Sequence, residues 1–432
     1  MFQNKKFGRY AVALNILGIF LIFFYSGFQT EHLNSLTNFL PETNTWSESV
    51  LMMPNTVGGI VSVALYLICG IAFLKIGVRK ILVPCSIVLS VFAIVLPNMA
   101  LQGHYVGYFI CLLMVRCLVV PMQMGAFMLV SNWFIKYRGR VLGIVTIGSP
   151  LFSVVGVQFM NRMAANGQLA ASYLVMGGIC IVISVLCALM LKDTPEEAGL
   201  YPDGMSHAPT SEEGDTNDVD VSLREVVTSK VGWCLIISYG IMQFVTIAMM
   251  SFMTSRYIVL GGEELWLNKG LWWLSVGAVL GIPVSYLLGL IDDKFGSIKG
   301  SIVLNLLFFL AVVPLAIMPQ GGNVGLMIVW AFGVACITGG TPTMHPCVVT
   351  YAYGRKRYQG ANKWIMPIQG LIMAFAPQYM SFFFDRGQSA AAYYGMIPML
   401  LVSLVAILLM WKVPDANQAD RDYGKKKETV DI

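Results

Sequence analysis

Apolar residues in this chain come in unbroken runs of about twenty, and no other feature limits the possible folds as much. The first run, "YAVALNILGIFLIFFYSGFQT" at 10–30, carries no charge. At about 1.5 Å per residue, twenty residues of helix cover roughly 30 Å, the thickness of a bilayer's hydrocarbon core. Over the whole chain 57% of residues are hydrophobic and only 12% are charged, against about 25% charged in a soluble domain. In lipid every backbone N–H and C=O needs an internal partner, which leaves helices or a closed barrel. Barrel strands would alternate apolar and polar residues over about ten positions, and these runs do not alternate. The sequence therefore predicts an all-α membrane protein.

Twelve spans are read, near 10–30, 49–73, 79–98, 105–130, 141–161 and 171–191, then near 232–255, 270–291, 299–318, 325–350, 362–382 and 390–411. The first is too long for the apolar core of a signal peptide, and no small-residue cleavage site follows it. Lysine and arginine set the orientation, because they are retained on the cytoplasmic side. With the N-terminus inside, the segments assigned to that side hold 23 of the 28, including "NKKFGR", "KIGVRK", "KYRGR", "GRKR" and "GKKK". The other side receives Arg162, Arg256, Lys269 and Arg386, and Arg116 falls inside a span. The expectation is a multi-pass protein of the plasma (cytoplasmic) membrane with both termini cytoplasmic. Its net charge of +5 follows from this asymmetry and implies no nucleic acid partner. The nine cysteines lie in or beside the spans, form no C-x-x-C pair, and read as small packing residues.

One segment departs from the pattern. "KDTPEEAGLYPDGMSHAPTSEEGDTNDVDVSLREVVTSK", at 192–230, is acidic and rich in Pro, Gly, Ser and Thr, the composition of a flexible linker. Its end, "SLREVVTSK", suits a short amphipathic helix at the membrane surface. The chain then divides into a six-helix bundle at 1–192, a cytoplasmic linker at 193–230, a second bundle at 231–412 and a tail at 413–432. The two bundles share a motif. "GIAFLKIGVRK" at 70–80 and "GLIDDKFGSIKG" at 289–300 align at an offset of 219, which matches Gly70 with Gly289, Lys75 with Lys294, Gly77 with Gly296, and Lys80 with Lys299. "YRGR" at 137–140 and "YQGA" at 358–361 form a weaker echo. Duplication of a six-helix unit is the simplest cause, and internal repeats of this kind are frequent in transporters.

The pattern G-x-x-x-D-K/R-x-G-x-R/K-R/K between the second and third spans of a half resembles the signature loop of the major facilitator superfamily. The second copy supplies Gly289, Asp293, Lys294, Gly296 and Lys299. The first supplies Gly70, Lys75, Gly77, Arg79 and Lys80, with Leu74 where the family usually has Asp. "NWFIKYRGRVLGI" and "DTPEEAGLYPDG" are similar to the bacterial oxalate/formate antiporters and monocarboxylate carriers. The resemblance implies two pseudo-symmetric six-helix bundles that transport by alternating access, as a monomer and without a cofactor. In this reading the glycines allow a tight turn, and Asp293 caps a nearby helix N-terminus as a latch in one state only.

The chemistry of the spans bears on the substrate. All 23 acids fall outside the middle of a span, with Glu31, Glu48 and Asp385 at outer ends and Asp292 and Asp293 at an inner end. Arg116 sits at mid-depth in the fourth span, where a charge costs roughly 2.5–3.5 kcal/mol on insertion scales. Its partner is therefore a backbone carbonyl, water or a substrate anion, and an anchoring role beside the first span stands equally open. Gln123 lies on the same helical face seven residues on. Tyr239, Gln243 and Thr246 form one stripe of the seventh span. Thr338, Thr341 and His345 form another in the tenth, with Pro342 between them, and Gln369 follows Pro367 in the eleventh. These residues would line a central cavity, with Trp272 and Trp273 in its wall, or would bond helix to helix without a substrate. Oxalate carriers of the resembled branch hold basic residues in spans 8 and 11. Here span 8 has none in its core and span 11 only Lys363 near its start, which favours a monoanion over a dianion.

The leading function is a secondary transporter of a small organic anion, by exchange or symport. A drug exporter of the same fold is the alternative, weakened by the lack of a mid-membrane carboxylate. An intramembrane enzyme would need clustered catalytic or metal-binding groups, but His32, His104, His207 and His345 are scattered, and no G-x-x-x-x-G-K-[ST] loop is present. A sensor would add a signalling domain, and the tail after Lys412 is only about 20 residues long.

Overall fold

Helix starts and stops in this chain follow local chemistry. Ser47, Ser229 and Asn323 cap the second, seventh and tenth long helices, each side-chain oxygen accepting the N–H of the residue three further on at 3.1–3.4 Å. Glycines in a left-handed conformation end others. The computed structural model describes residues 5–40, 46–134, 138–204, 221–354 and 357–413. Among them stand twelve long helices. The first half has α1 (Lys5–Ser26, a π-helical turn Gly27–Glu31, then His32–Asn38), α2 (Glu48–Ile76), α3 (Val78–Leu101), α4 (Tyr105–Trp133), α5 (Arg138–Val145, Gly148–Leu151, a π-helical turn Phe152–Gly156, Val157–Ala165) and α6 (Leu169–Met190). The second half has α7 (Lys230–Leu265), α8 (Leu271–Phe295), α9 (Ser297–Ile317), α10 (Val324–Tyr353), α11 (Tyr358–Ala374 and Ala376–Phe384) and α12 (Ser389–Leu409). Pro342 leaves α10 continuous, as lipid-embedded helices tolerate.

The duplication read from two short motifs extends through the tertiary structure. In each half the second helix packs on the fourth, the third on the fourth and sixth, and the first on the fifth and sixth: α2–α4 answers α8–α10, and α1–α6 answers α7–α12. Gly77 and Gly296 both turn with positive φ, at 101° and 89°, with ψ at 150° and 157°. The Tyr173 hydroxyl donates to the carbonyl of His32, and its counterpart Tyr393 donates to Phe252, across the same 141-residue separation.

The basic turns and the amino end of α1 define one face of the molecule, here called the basic face; the opposite one is the far face. Two sequence-based placements need correction. The first span does not end near residue 30 but runs to Asn38, so Glu31 lies inside the helix and is 3% exposed. The seventh span runs beyond 255, so Arg256 is no outer-loop residue. It is 5% exposed, with its guanidinium donating to the Leu315 carbonyl at 2.9 Å and the Ser389 hydroxyl at 2.8 Å.

The halves meet along α2–α11, α5–α8 and α1–α7. Their hydrogen bonds gather towards the far face. The Asn34 carboxamide straddles one turn of α7, donating to the Met250 carbonyl at 2.7 Å and accepting the Thr254 N–H at 3.4 Å. Gln158 of α5 donates to the Leu271 carbonyl and the Ser275 hydroxyl of α8, both at 3.0 Å. The Trp266 indole N–H donates to Asn161 at 3.2 Å, and the Ser49 N–H to Asp385 at 3.1 Å. This is the arrangement of a molecule closed at its far face.

At the basic face the linker's two flanks are docked. Lys6 donates to the Ala198 carbonyl at 2.8 Å. The short helix Leu223–Thr228 is held by the Arg357–Glu225 ion pair, and the adjacent Val221 carbonyl accepts from the Trp364 indole. Residues 205–220 lie outside the described part of the structure.

Candidate functional site

Arg116 is 4% exposed, close to the middle of α4. Two consecutive glycines of α2 make room for it. A Cβ at Gly58 would stand 2.9 Å from the Arg116 Cβ and Cγ. A Cβ at Gly59 would stand 2.9 Å from Ala374 of α11 and 4.0 Å from Nη2 of Arg116. The guanidinium therefore reaches the seam between the halves. Tyr25, Tyr66 and His32 are near enough to feel its charge. Among the described residues Arg116 forms no ion pair and its guanidinium makes no hydrogen bond. A guanidinium is a planar cation whose paired N–H groups match the geometry of a carboxylate.

The second half contributes a connected polar group. The Gln369 amide N–H donates to the Leu235 carbonyl at 3.0 Å, which fixes the amide's orientation because a carbonyl can only accept. Its Oε1 then faces Gln243 Nε2 at 3.2 Å and His345 Nε2 at 3.0 Å, so His345 carries a proton on Nε2. Tyr239 packs edge-on against His345, ring centroids 5.2 Å apart, while its hydroxyl bonds to Ser301 of α9 at 2.7 Å. The structure thus brings Tyr239, Gln243, His345 and Gln369 together from α7, α10 and α11. Gln123 stands apart, accepting from the Tyr66 hydroxyl at 2.7 Å, and Thr338 bonds back to its own helix. Trp272 is 63% exposed at the far end of α8, away from this depth. A shallow groove lined by Gly8, Arg9, Val12, Ala13, Ile16 and Met190 lies on the outside of α1 and contains none of these residues.

The signature loops sit at the basic face. Lys75, Lys80, Lys294 and Lys299 are exposed, and Lys299 lies over the Trp411 ring, 5.9 Å from its centroid. Gly70 and Gly289 lie within α2 and α8. The Asp293 side chain lies outside the described part of the structure. Its neighbour Asp292 is buried, with Oδ1 unpartnered. The first loop, which lacks an Asp at position 74, is tied down from another direction. Asp193, just past α6, accepts the Arg79 N–H at 2.7 Å, and the Arg79 guanidinium donates to the Leu191 carbonyl at 2.9 Å. Trp133 and Asn132 in turn hold the Lys192 and Asp193 carbonyls. Sequence reading missed this knot, because Asp193 sits in an acidic, linker-like stretch.

It also missed the group around Glu31. The carboxylate Oε1 accepts from the Ser153 hydroxyl at 2.9 Å and the Ser26 hydroxyl at 3.3 Å, and Oε2 has no partner. Next to it, His32 Nδ1 meets the Tyr173 hydroxyl at 2.9 Å. The usable signal was the lack of any Gly or Pro between Gly27 and Pro41, which lets the first helix continue.

Compared with known proteins, residues 16–377 match the family model of the Major Facilitator Superfamily. No curated protein sequence matches the chain significantly. Among solved structures, the chain is similar to a bacterial homolog of the human lysosomal transporter Spinster in an inward-facing, unoccupied conformation. That likeness has a TM-score of 0.63 at 14% identity, over 94% of this chain and 96% of that one. The inward-facing, occupied form gives 0.65 at 13% identity, over 95% and 98%. A variant of the nucleoside transporter NupG gives 0.69 at 10% identity, over 93% and 100%. Likeness at such identities establishes the fold alone.

Proposed function

The chain belongs to the major facilitator superfamily, and from that premise we propose that it moves a small organic anion, a monocarboxylate or similar monoanion, by alternating access. The fold is that of transporters, and all of its described neighbours above are transporters. The observation that carries the anion reading is Arg116: buried at mid-depth, at the seam of the halves, with no ion pair among the described residues. The one buried acid inside the nearby first helix, Glu31, turns to the serines of α1 and α5 and does not neutralise it. One guanidinium suits one carboxylate, and Gln243, Gln369 and His345 supply neutral hydrogen-bonding groups across the seam.

The hydrogen bonds that join the halves near the far face support a form of the cycle that opens towards the basic face. With the basic loops cytoplasmic, that form is the inward-facing one, and the second signature loop, through Asp293, acts as a latch that forms in one state of the cycle and breaks in the other. The test is thermal stabilisation of the purified protein by monocarboxylates, dicarboxylates and amines, in wild type, Arg116→Lys and Arg116→Gln. Monocarboxylates should stabilise the wild type, Arg116→Lys less, and Arg116→Gln not at all. Stabilisation by amines alone would support the drug-exporter reading instead. Equal stabilisation of wild type and Arg116→Gln by carboxylates would make Arg116 an anchor.

A further inference from the structure

The repeat gives both halves the same six helices, yet their outer walls differ at one place. The Tyr173 and Tyr393 bonds set an offset of 220 residues, which pairs Ile16 with Ile236 and Met190 with Met410. In the second half both positions are covered, at 0% and 1% exposure; in the first they are 50% and 47% exposed. Gly232 is pressed against the carbonyl of Val226 in the short helix Leu223–Thr228, whereas its counterpart Val12 is 59% exposed. What stays open in the first half is the groove of Gly8, Arg9, Val12, Ala13, Ile16 and Met190, with a volume of about 630 Å³.

The groove has a defined axis. Phe7, Ala11 and Leu14 are buried and seat α1 on its own bundle, with Phe7 and Tyr10 against Trp133 at ring-centroid distances of 5.8 and 5.2 Å. Arg9, Val12 and Ile16 stand on the opposite side of the helix, three and four residues apart. Gly8 keeps the groove open, because nothing lies within 4 Å of a Cβ built there. From Arg9 to Ile16 the helix rises about 10 Å, roughly a third of a bilayer's hydrocarbon core. Past Arg9 the lining is wholly apolar. Arg9 itself is exposed at the basic-face end and forms no ion pair among the described residues. The linker flank held by Lys6 carries Glu196 and Glu197; Glu197 accepts the Asp193 N–H at 3.3 Å, and neither acid pairs with Arg9. A second copy of the chain is a poor occupant, since a two-fold contact through this groove sets Arg9 against Arg9.

We infer that the groove seats one anionic phospholipid of the leaflet at the basic face. An acyl chain lies along Val12, Ile16 and Met190, and the phosphate meets the Arg9 guanidinium, whose paired N–H groups match it. The distribution of lysine and arginine sets this face against the cytoplasmic leaflet, the one that carries anionic lipid. The lipid covers in the first half what the chain itself covers in the second. The inference goes beyond the transport reading and is independent of what is carried.

The experiment uses the full chain, delipidated in detergent, with dioleoylphosphatidylglycerol, dioleoylphosphatidylcholine and inorganic phosphate as probes. Native mass spectrometry counts bound lipid, and thermal unfolding follows stability. The wild type should hold one phosphatidylglycerol about five-fold more tightly than phosphatidylcholine, the effect of about one basic residue at an anionic surface, and should unfold at a higher temperature with it. Arg9→Gln should lose that preference and Arg9→Lys keep most of it. Lys412→Gln, which removes an exposed basic-face cation outside the groove, should leave it unchanged. Gly8→Trp, which fills the groove, should weaken both lipids. Equal retention of the two lipids by the wild type, a preference that survives in Arg9→Gln, or an equal loss in Lys412→Gln overturns the proposal. So does stabilisation by inorganic phosphate equal to that by phosphatidylglycerol, or a dimer that the lipid does not dissociate. If Gly8→Trp fails to fold, photoreactive phosphatidylglycerol on the wild type decides. Its cross-links should gather at residues 8–16 and Met190, and an even spread over the outer helices overturns the proposal.

Discussion

Replacing Asn34 by Ala tests whether the far-face closure is held where the structure shows it. The carboxamide is buried and makes two hydrogen bonds across the halves, 2.7 Å to the Met250 carbonyl and 3.4 Å from the Thr254 N–H. A buried hydrogen bond contributes about 0.5–1.5 kcal/mol net, and the longer of these two belongs at the low end of that range. The closed form should therefore lose about 1–2 kcal/mol relative to the open one, a roughly 5–30-fold shift in their ratio. Within its own half the carboxamide also donates to the Glu31 carbonyl at 3.1 Å, a bond whose loss weakens both forms alike, so the fold should persist. Spin labels at Gln168 and Gln388, exposed caps of α6 and α12 on the far face of opposite halves, would report the change as a longer-distance population in a pulsed dipolar measurement. An unchanged distance distribution in a protein with wild-type thermal stability would refute the assignment of Asn34 to the closure.

Other consequences follow from the same geometry. Gly296→Ala should cost about 1–3 kcal/mol, because φ near 89° with ψ near 157° is a region open almost only to glycine. Gly77→Ala should cost more in the same thermal unfolding measurement, because its Cβ would also collide with the Asp193 carboxylate, whereas nothing lies within 4 Å at Gly296. Asp193→Ala removes the acceptor for the Arg79 N–H at the start of α3 and should lower stability by about 1 kcal/mol, as loss of a helix cap does. Gln369→Leu leaves the Leu235 carbonyl, Gln243 and His345 without their shared partner and should destabilise by about 2–4 kcal/mol, with binding of carboxylates reduced as well; isothermal titration beside thermal unfolding would separate the two effects.

Much of the architecture was legible in the chain because lipid makes it so. A run of about twenty apolar residues has one way to hide its backbone, and that is a helix. The short turns between such helices then leave few topologies, and the offset of 219 between Gly70 and Gly289 announced the repeat that the Tyr173 and Tyr393 bonds display in three dimensions. Arg116 was legible too, since a cation at mid-depth stands out against apolar neighbours.

Partnership was not legible. Nothing in the spacing of Gln243, His345 and Gln369 says that one amide oxygen serves both of the others, because the three come from three helices whose rotation is set by packing. Asp193 takes up the first loop's backbone from 114 residues away. Glu31 is the clearest case. Its sequence position, just past an uncharged run, is equally that of a solvated loop acid. Only the continuation of α1 to Asn38 and the serines of α5 turn it into a buried group with a bare oxygen. Hydropathy along the chain fixes which segments enter the membrane and in what order. Which polar side chains meet inside depends on helix rotation and on close approaches such as Gly58 and Gly59 against Arg116, and those are properties of the packed molecule.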